Sequence, residues 1–152
     1  MKTIGFRVKP KQITFVVYDS NEHSIINVET IKIPKALSIP EYLKYIRTNI
    51  IDILREYQIS KAGLRITESS AQSLNIERIQ IEGVIQETFA STILAGYFCG
   101  QISNISPKLG IERSDFKKYV NGELNYDSVE NWSELNEEER EACLTAIGTV
   151  NA

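Results

Sequence analysis

Three short runs at the beginning of the chain alternate apolar and polar side chains, the pattern of β-strands with one buried face. The first run is residues 3–9, and the apolar side chains on one of its faces are Ile4, Phe6 and Val8. Residues 13–18 and 25–33 are rich in β-branched and aromatic side chains and follow after short polar turns. Three strands joined by such short loops predict an antiparallel meander.

The meander is followed by a segment with helical periodicity. Ser38 is the predicted N-cap, with Pro40 in the first turn and Glu41 three residues after the cap, an arrangement typical of helix starts. Apolar residues recur at helical spacing from there to about Tyr57. Residues 62–67 then form a short extended run, the predicted fourth strand. A strand that follows a helix, which itself follows a strand, is expected to pair parallel with another strand of the sheet.

The second half of the chain predicts further helices and one more strand. Asn75 caps a helix over residues 76–95, whose inward-facing side chains are predicted to be Ile79, Val84, Ile85, Phe89 and Ile93. Gly83 is expected to mark a close backbone contact, because glycine weakens a helix by up to about 1 kcal/mol relative to alanine. A fifth strand is predicted over residues 98–102, and a loop over residues 107–110.

Two helices are predicted to end the chain. Residues 114–120 form a short helix that stops at Asn121-Gly122. The last helix spans residues 134–150, and its first turns are rich in glutamate, as the helix dipole prefers. Its inward-facing side chains are Ala142, Cys143, Ala146, Ile147 and Val150. These elements predict a single α/β domain over residues 1–152.

Composition narrows the functional classes. The chain is 42% hydrophobic and 24% charged, with a net charge of −3 and an isoelectric point near 5.3, values typical of a globular protein. This balance disfavours a generic nucleic-acid-binding protein, which neutralises phosphates with clustered Lys and Arg, but it leaves a local basic patch open. With neither a signal peptide nor a membrane span expected, the predicted location is cytoplasmic and away from membranes.

The residues most often used for nucleophilic or zinc chemistry are scarce. His23 is the single histidine and lies in a polar loop, where a surface turn is expected. Cys99 and Cys143 lie in apolar stretches and are predicted to be reduced core cysteines. No spacing suggests a zinc site, and Cys–His nucleophilic chemistry is disfavoured.

The predicted elements follow the order strand–strand–strand–helix–strand–helix–strand–helix, and four short sequence segments within them resemble motifs of a known family. They are Ile4–Lys9, Leu64–Glu68, Gln80–Ile85 and Phe116–Gly122. Together with the element order, they resemble the RuvC-type Holliday-junction resolvase branch of the ribonuclease-H-like superfamily. The resemblance implies a ribonuclease-H-like fold: a five-stranded mixed sheet, the first strand central, with helices on both faces. A family of uncharacterised bacterial proteins with the same layout is an alternative home.

The resemblance also implies a site in which a metal ligand has been replaced. The catalytic acids of the resolvases would fall on Arg7 in the first strand, on Glu68 after the fourth, and on Glu138 and Glu141 in the last helix. Enzymes of this superfamily hydrolyse phosphodiesters with two divalent cations held by converging carboxylates. Arg7 removes one ligand and repels cations by several kcal/mol at about 4 Å and an effective dielectric constant of about 20. Asp19 is expected at the far end of the sheet, roughly 10 Å or more away.

The remaining acids have alternative interpretations. Thr67 and Glu68 occupy alternative registers at the end of the fourth strand, and a shift of one residue reverses the side-chain direction. Glu138 and Glu141 are three residues apart, which places both carboxylates on one helix face, either as a solvated acidic turn or as retained metal ligands. We expect Arg7 to form an ion pair with at least one of the three glutamates, in place of metal bridges.

Two functional hypotheses follow. In the first, the protein is a non-catalytic RuvC-like domain without a cofactor, an accessory protein that binds nucleic acid or a protein partner. Its candidate nucleic-acid-binding residues are Lys108, Arg113, Lys117 and Lys118, for which a solvated helix face is the alternative. In the second, it is a divergent Mg²⁺- or Mn²⁺-dependent nuclease that uses Glu68, Glu138 and Glu141. Because resolvases of this branch dimerise, the resemblance also implies a homodimer.

Overall fold

The computed structural model describes all residues, Met1–Ala152. The strands are β1 (Lys2–Lys9), β2 (Gln12–Asp19), β3 (Ser24–Lys32), β4 (Lys61–Arg65) and β5 (Gly96–Gly100). The helices are α1 (Ile39–Glu56), α2 (Ile76–Ala90), α3 (Ile102–Leu109), α4 (Arg113–Val120) and α5 (Glu137–Thr149), with a 3-10 helix at Trp132–Glu134. No helix is both long and apolar enough to cross a lipid bilayer.

The strands form one mixed sheet in the order β3-β2-β1-β4-β5. The first three strands pair antiparallel, whereas β4 lies parallel to β1 and β5 parallel to β4. The predicted meander, the parallel pairing and the central position of the first strand are therefore confirmed. Asp19 pairs with Lys2, whereas Arg7 pairs with Thr14, so Asp19 does lie at the opposite end of β1 from Arg7.

Helices cover both faces of the sheet, as predicted. Side chains of α1 and α2 pack with Ile4, Phe6 and Val8 in the larger apolar cluster. The opposite face contacts α5, and the smaller apolar cluster there also includes residues of α3 and α4. Because strand side chains alternate, Thr3, Gly5 and Arg7 face α5.

Gly5 sets how closely α5 approaches the central strand. A Cβ atom at Gly5 would lie 2.1 Å from the backbone oxygen of Ala142 and 2.4 Å from the backbone nitrogen of Ala146, distances that no side chain tolerates. The Thr3 hydroxyl also donates to the Ala146 carbonyl at 2.7 Å. The first turns of α5 are therefore held beside the end of β1.

Helix α1 begins as its sequence predicts. Glu41 accepts hydrogen bonds from the backbone N–H of Ser38 at 3.0 Å and from its hydroxyl at 2.6 Å. This contact satisfies an amide at the helix start that has no partner within the helix. The predicted cap at Asn75 is also present, since its side chain accepts from the Arg78 amide at 2.9 Å.

The predicted buried face of α2 is partly wrong. The helix ends at Ala90, and Ile79 is 40% exposed and Ile93 fully exposed. The buried face instead includes Ile81, Glu82, Ile85, Thr88 and Phe89. The close contact expected at Gly83 is also wrong, because a Cβ there would have no neighbour within 4 Å.

The segment after β5 also differs from the prediction. The fifth strand ends at Gly100, and residues expected to form a strand end and a loop form α3. Ile102 and Ile105 are buried one turn apart, a helical spacing that the Pro107-Lys108-Leu109-Gly110 break signal obscured. Gly110, with a φ of 69°, ends α3 in the left-handed conformation that glycine adopts readily. The last helix starts at Glu137, after the separate 3-10 helix.

Candidate functional site

The candidate site lies at the carboxyl ends of β1 and β4, beneath the first turns of α5. Arg7 of β1 and Arg65 of β4 are paired in register on these parallel strands, so their side chains leave the sheet on the same face. Arg65 is almost completely buried, and Arg7 is largely covered. Two guanidinium groups therefore lie side by side at the end of the sheet.

Glu141 offsets the charge of both arginines. Its Oε2 forms an ion pair with Nε of Arg7, and its Oε1 lies 3.6 Å from Nε of Arg65. Arg7 also donates from Nη1 to the backbone carbonyl of Arg65 at 3.2 Å. The ion pair expected between Arg7 and a glutamate of the site is present, and the Arg7 and Glu141 side chains are only 12% and 14% exposed.

Glu138 lies one turn before Glu141 and contacts a different cation. Its Oε1 is 2.7 Å from Nζ of Lys9, the last residue of β1. Burial alone would raise the pKa of Glu138, but the hydrogen bond from Lys9 and the positive charges of Lys9 and Arg7 outweigh burial and lower the pKa. Both glutamates of this helix face are thus partly buried and paired with basic side chains of the chain itself.

Glu68 lies three residues beyond Arg65, where β4 ends. The alternation of side chains along a strand therefore does not determine where the Glu68 side chain points. Its Oε2 lies 3.6 Å from Nη1 of Arg65. Its Oε1 accepts a long hydrogen bond of 3.4 Å from the backbone N–H of Ile102 at the start of α3. Glu68 therefore joins the end of β4 to the base of α3.

Glu82 was not expected to belong to this region. It is buried on α2 and accepts from the Thr67 backbone N–H at 3.0 and 3.1 Å and from the Thr67 hydroxyl at 2.8 Å. Nε of Arg78 lies 3.4 Å from its carboxylate. Glu82 lies three residues before Ile85 and seven before Phe89, so it shares their helix face, and this spacing could have predicted that Glu82 is buried.

The arginines crowd one another. Burial, and after it the positive charge of Arg7, lowers the pKa of Arg65. The same two causes, in the same order, lower the pKa of Arg78, and Glu82 and Glu141 offset part of the effect. The buried Nε atoms of Arg65 and Arg78 have no hydrogen-bond partner. The site thus has unsatisfied donors, and its closely spaced guanidinium groups repel one another.

The residues present do not fit a two-metal centre. No group of three or more His, Cys, Asp or Glu side chains is arranged to hold a metal ion. Glu68, Glu138 and Glu141 each have a basic partner within the chain, and the Arg7 guanidinium occupies the space between the end of β1 and Glu141 of α5. Hard cations such as Mg²⁺ require several oxygen ligands.

A polar cleft of about 840 Å³ opens beside this cluster. Its walls include the basic residues Arg7, Arg78, Arg113 and Lys117 and the acidic residues Glu68 and Glu112. The rest of the lining is mainly hydroxyl and amide side chains, and none of it is aromatic. A second cavity of about 420 Å³ lies under α5 and shares Arg7, Glu68, Arg78 and Lys117 with the cleft.

Of the four basic residues predicted to bind nucleic acid, two line the cleft and two lie outside it. Arg113 and Lys117 line the cleft. Lys118 lies 3.7 Å from Asp115 of the same helix. Lys108 lies with Nζ 5.1 Å from the ring centre of Phe98 and belongs to neither cavity wall described above. Arg7 and Arg78, from other elements, complete the basic wall, and only the tertiary structure reveals their proximity.

The cysteines and the histidine lie away from the site. Cys143 is fully buried on α5 and Cys99 partly buried on β5. Burial raises the pKa of Cys143 to about 12 and that of Cys99 to about 11, so neither thiol ionises near neutral pH. His23 lies in the turn between β2 and β3, with Nδ1 3.5 Å from the Tyr18 hydroxyl.

No protein-family model matches the chain, and no curated protein matches its sequence. Among solved structures, RuvC of Thermus thermophilus is similar with a TM-score of 0.70 at 11% identity, covering 97% of this chain and 92% of that one. The same protein in complex with a Holliday junction substrate gives a TM-score of 0.69 at 12% identity, covering 97% and 91%. A yeast mitochondrial Holliday junction resolvase gives 0.59 at 11% identity, covering 96% and 76%. The expected ribonuclease-H-like fold of the RuvC type is thereby confirmed.

Proposed function

We propose that this protein, which has the fold of the RuvC-type resolvases, is a non-catalytic domain that binds nucleic acid as an accessory protein. The observation behind the proposal is the ion pair between Arg7 and Glu141. It neutralises the carboxylate with a cation of the protein at the position where the resolvase resemblance implies metal ligands. A guanidinium has no lone pair available for a metal ion and cannot lose its charge at physiological pH.

Hydrolysis with two metal ions would require the paired carboxylates to become free. Glu141 would have to leave Arg7 and Arg65, Glu138 would have to leave Lys9, and the remaining guanidiniums would repel the incoming cations. These ion pairs count against the alternative of a nuclease that uses Glu68, Glu138 and Glu141. Binding is supported by the basic side chains that line the neighbouring cleft, because guanidinium and ammonium groups are well suited to phosphate oxygens.

Branched and single-stranded DNA are the ligands to test first. RuvC of Thermus thermophilus was solved with a Holliday junction substrate, and the cleft of the present protein has four basic and two acidic side chains in its walls. A local basic cleft binds phosphates even in a protein with a net charge of −3, since screening limits the reach of distant charges to about 10 Å.

One set of samples tests both parts of the proposal. Fluorescence anisotropy measures binding of a labelled four-way junction, a duplex and a single strand at low salt, with EDTA, Mg²⁺ or Mn²⁺ present. Denaturing gels of the same mixtures measure cleavage, with a Glu141→Ala variant prepared in parallel as the control for contaminating nuclease. We expect binding in EDTA and intact DNA in every condition. Cleavage that disappears in Glu141→Ala and in EDTA would establish the nuclease instead. Absence of binding to all three DNAs at low salt would refute the nucleic-acid proposal.

The homodimer implied by the resemblance remains a prediction. Sedimentation velocity over a range of protein concentrations measures it directly, because a dimer doubles the sedimenting mass of 17.2 kDa. The same experiment with a junction added would show whether DNA changes the assembly.

A further inference from the structure

Two basic side chains in the cleft have no acidic partner. Arg113 and Lys117 lie four residues apart on α4, which places them on one face of the helix, and neither forms an ion pair or hydrogen bond with another side chain. The remaining lysine of that helix, Lys118, pairs with Asp115 on a different face. The charges of Arg113 and Lys117 are thus available to a ligand.

Arg78 adds a third charge from the opposite side of the cleft. Its only ion-pair partner is Glu82, which already accepts three hydrogen bonds from Thr67. Nε of Arg78 is buried 3.4 Å from the Glu82 carboxylate and forms no hydrogen bond with it, so Glu82 satisfies this arginine only in part. Because Arg7 also lines the cleft, four cations from three elements surround one space.

The two acids of the cleft do not cancel this charge. Glu68 is drawn toward the base of the site by Arg65 and by the Ile102 amide. Glu112 lies at the outer end of α4 and is exposed. Arg113 and Lys117 are therefore left without a paired acid, in contrast to Arg7, which pairs with Glu141, and Arg78, which pairs with Glu82.

We infer that the cleft binds a backbone phosphate of a nucleic acid directly through Arg78, Arg113 and Lys117, without a divalent metal ion. This inference rests on the proposed function and assigns the contact site within it. Arg7 remains paired with Glu141 and forms the inner end of the cleft. Hydroxyl groups of Ser70, Ser73 and Ser114 line the same space and supply neutral donors to the remaining phosphate oxygens.

The lining also determines what the site does not recognise. Single-stranded nucleic acids are commonly held by bases stacked on aromatic side chains, and no aromatic side chain lines the cleft. Phosphate contacts position a nucleic acid but contain no sequence information. The binding is therefore independent of base sequence, strongly dependent on salt and unaffected by chelators.

The test compares cleft variants with matched lysine variants outside it. The double variant Arg113→Gln/Lys117→Gln removes two exposed charges from a helix surface and is expected to fold, and Arg78→Gln is examined separately because Arg78 also contacts Glu82. Lys32→Gln/Lys44→Gln removes the same net charge from exposed positions on β3 and α1, outside the cleft. Anisotropy with labelled dT12 and dA12 in EDTA, at several salt concentrations, measures affinity and its salt dependence.

We expect the cleft double variant to bind at least about tenfold more weakly and to lower the slope of log K against log salt by about 1.4, two contacts at about 0.7 each. The control double variant should stay within about threefold of the wild type, and dT12 and dA12 should bind alike. Equal losses in both double variants, a clear preference between the two oligonucleotides, or binding that requires a divalent metal would each overturn the inference.

A second measurement separates this inference from the proposed function. Inorganic phosphate is titrated into ¹⁵N-labelled protein in EDTA, and the Nε–H signals of the arginines are followed. Shifts of the Arg78 and Arg113 signals in the wild type, with the Arg78 shift lost in the cleft double variant, support the site even if no DNA binds, an outcome that refutes only the nucleic-acid function. DNA binding that is insensitive to the cleft variants, with no phosphate shifts, refutes the site and leaves the function standing.

Discussion

Arg7 donates a hydrogen bond from Nη1 to the backbone carbonyl of Arg65 at 3.2 Å. The two residues are register partners on parallel strands, so the contact places two cations against each other at the end of the sheet. Glu141 lies between them from the first turns of α5. The stability of this end of the molecule therefore depends on one carboxylate.

Replacing Glu141 by glutamine should test that dependence. Loss of the carboxylate leaves the covered guanidiniums of Arg7 and Arg65 without their shared anion, and breaking such a pair from one side is strongly destabilising. We expect the free energy of unfolding to fall by about 3 kcal/mol in urea titrations. Glu137→Gln, at an exposed position without an ion pair in the same helix, should change it by less than about 0.5 kcal/mol. Equal effects of the two variants would show that Glu141 does not stabilise the arginines.

Replacing two glycines by alanine is expected to change the free energy of unfolding in opposite directions. Gly5→Ala places a methyl group 2.1 Å from the Ala142 backbone oxygen, so α5 must move away, and we expect a loss of about 3 kcal/mol in unfolding free energy. Gly83→Ala meets no atom within 4 Å on the exposed side of α2 and should gain up to about 1 kcal/mol from its higher helix propensity. Thermal and urea unfolding measure both. A destabilised Gly83→Ala would mean that the glycine has a close contact after all.

Glu82 is expected to hold the chain where it leaves β4. In Glu82→Gln, one acceptor oxygen is replaced by a donor that faces the Thr67 N–H and Arg78, and we expect a loss of about 2 kcal/mol. Hydrogen exchange should show faster exchange at the Thr67 amide. Glu87→Gln weakens an exposed ion pair with Arg47 and a hydrogen bond from Ser91, and it should lower the stability much less than Glu82→Gln. Unchanged protection of Thr67 in Glu82→Gln would refute this role.

The Lys9–Glu138 ion pair should make a small part of the stability depend on pH. The pKa of Glu138 is lowered in the folded protein from its ordinary value of 4.5, so the folded state binds fewer protons at this group than the unfolded chain. The contribution is then complete above the unfolded value and is lost as the pH falls through the lower, folded value. Because Lys9 is 49% exposed, we expect less than about 1 kcal/mol.

Urea unfolding of wild type and Glu138→Gln from pH 7 down to the acid range measures this contribution. The difference between the two proteins should be largest near neutral pH and should shrink as the pH falls below 4.5. Glu137→Gln is again the control, because it removes one glutamate charge from an exposed position of the same helix. A difference that grows toward low pH would contradict the sign of the pKa shift.

Sequence patterns predicted most of the frame on which the site is built. Alternation placed Ile4, Phe6 and Val8 on one face of the central strand, and the Ser38 and Asn75 caps marked the starts of α1 and α2. Such signals are local, since a cap or a strand face depends on residues a few positions apart. Local reasoning failed where two signals competed, as in residues 102–110, where Pro107 and Gly110 outweighed the helical spacing of Ile102 and Ile105.

The sequence by itself determined the antiparallel meander, the later parallel strand and an arginine at position 7 of the first strand, because side-chain alternation and element order follow from patterns along the chain. Only the tertiary structure decided that Arg7 and Arg65 share Glu141, and that Arg78, Arg113 and Lys117 face one cleft. These residues come from separate elements, and their meeting depends on the register of β1 against β4 and on how closely α5 packs on Gly5. Electrostatic energy depends on distances in space, and spacing along the chain does not contain them.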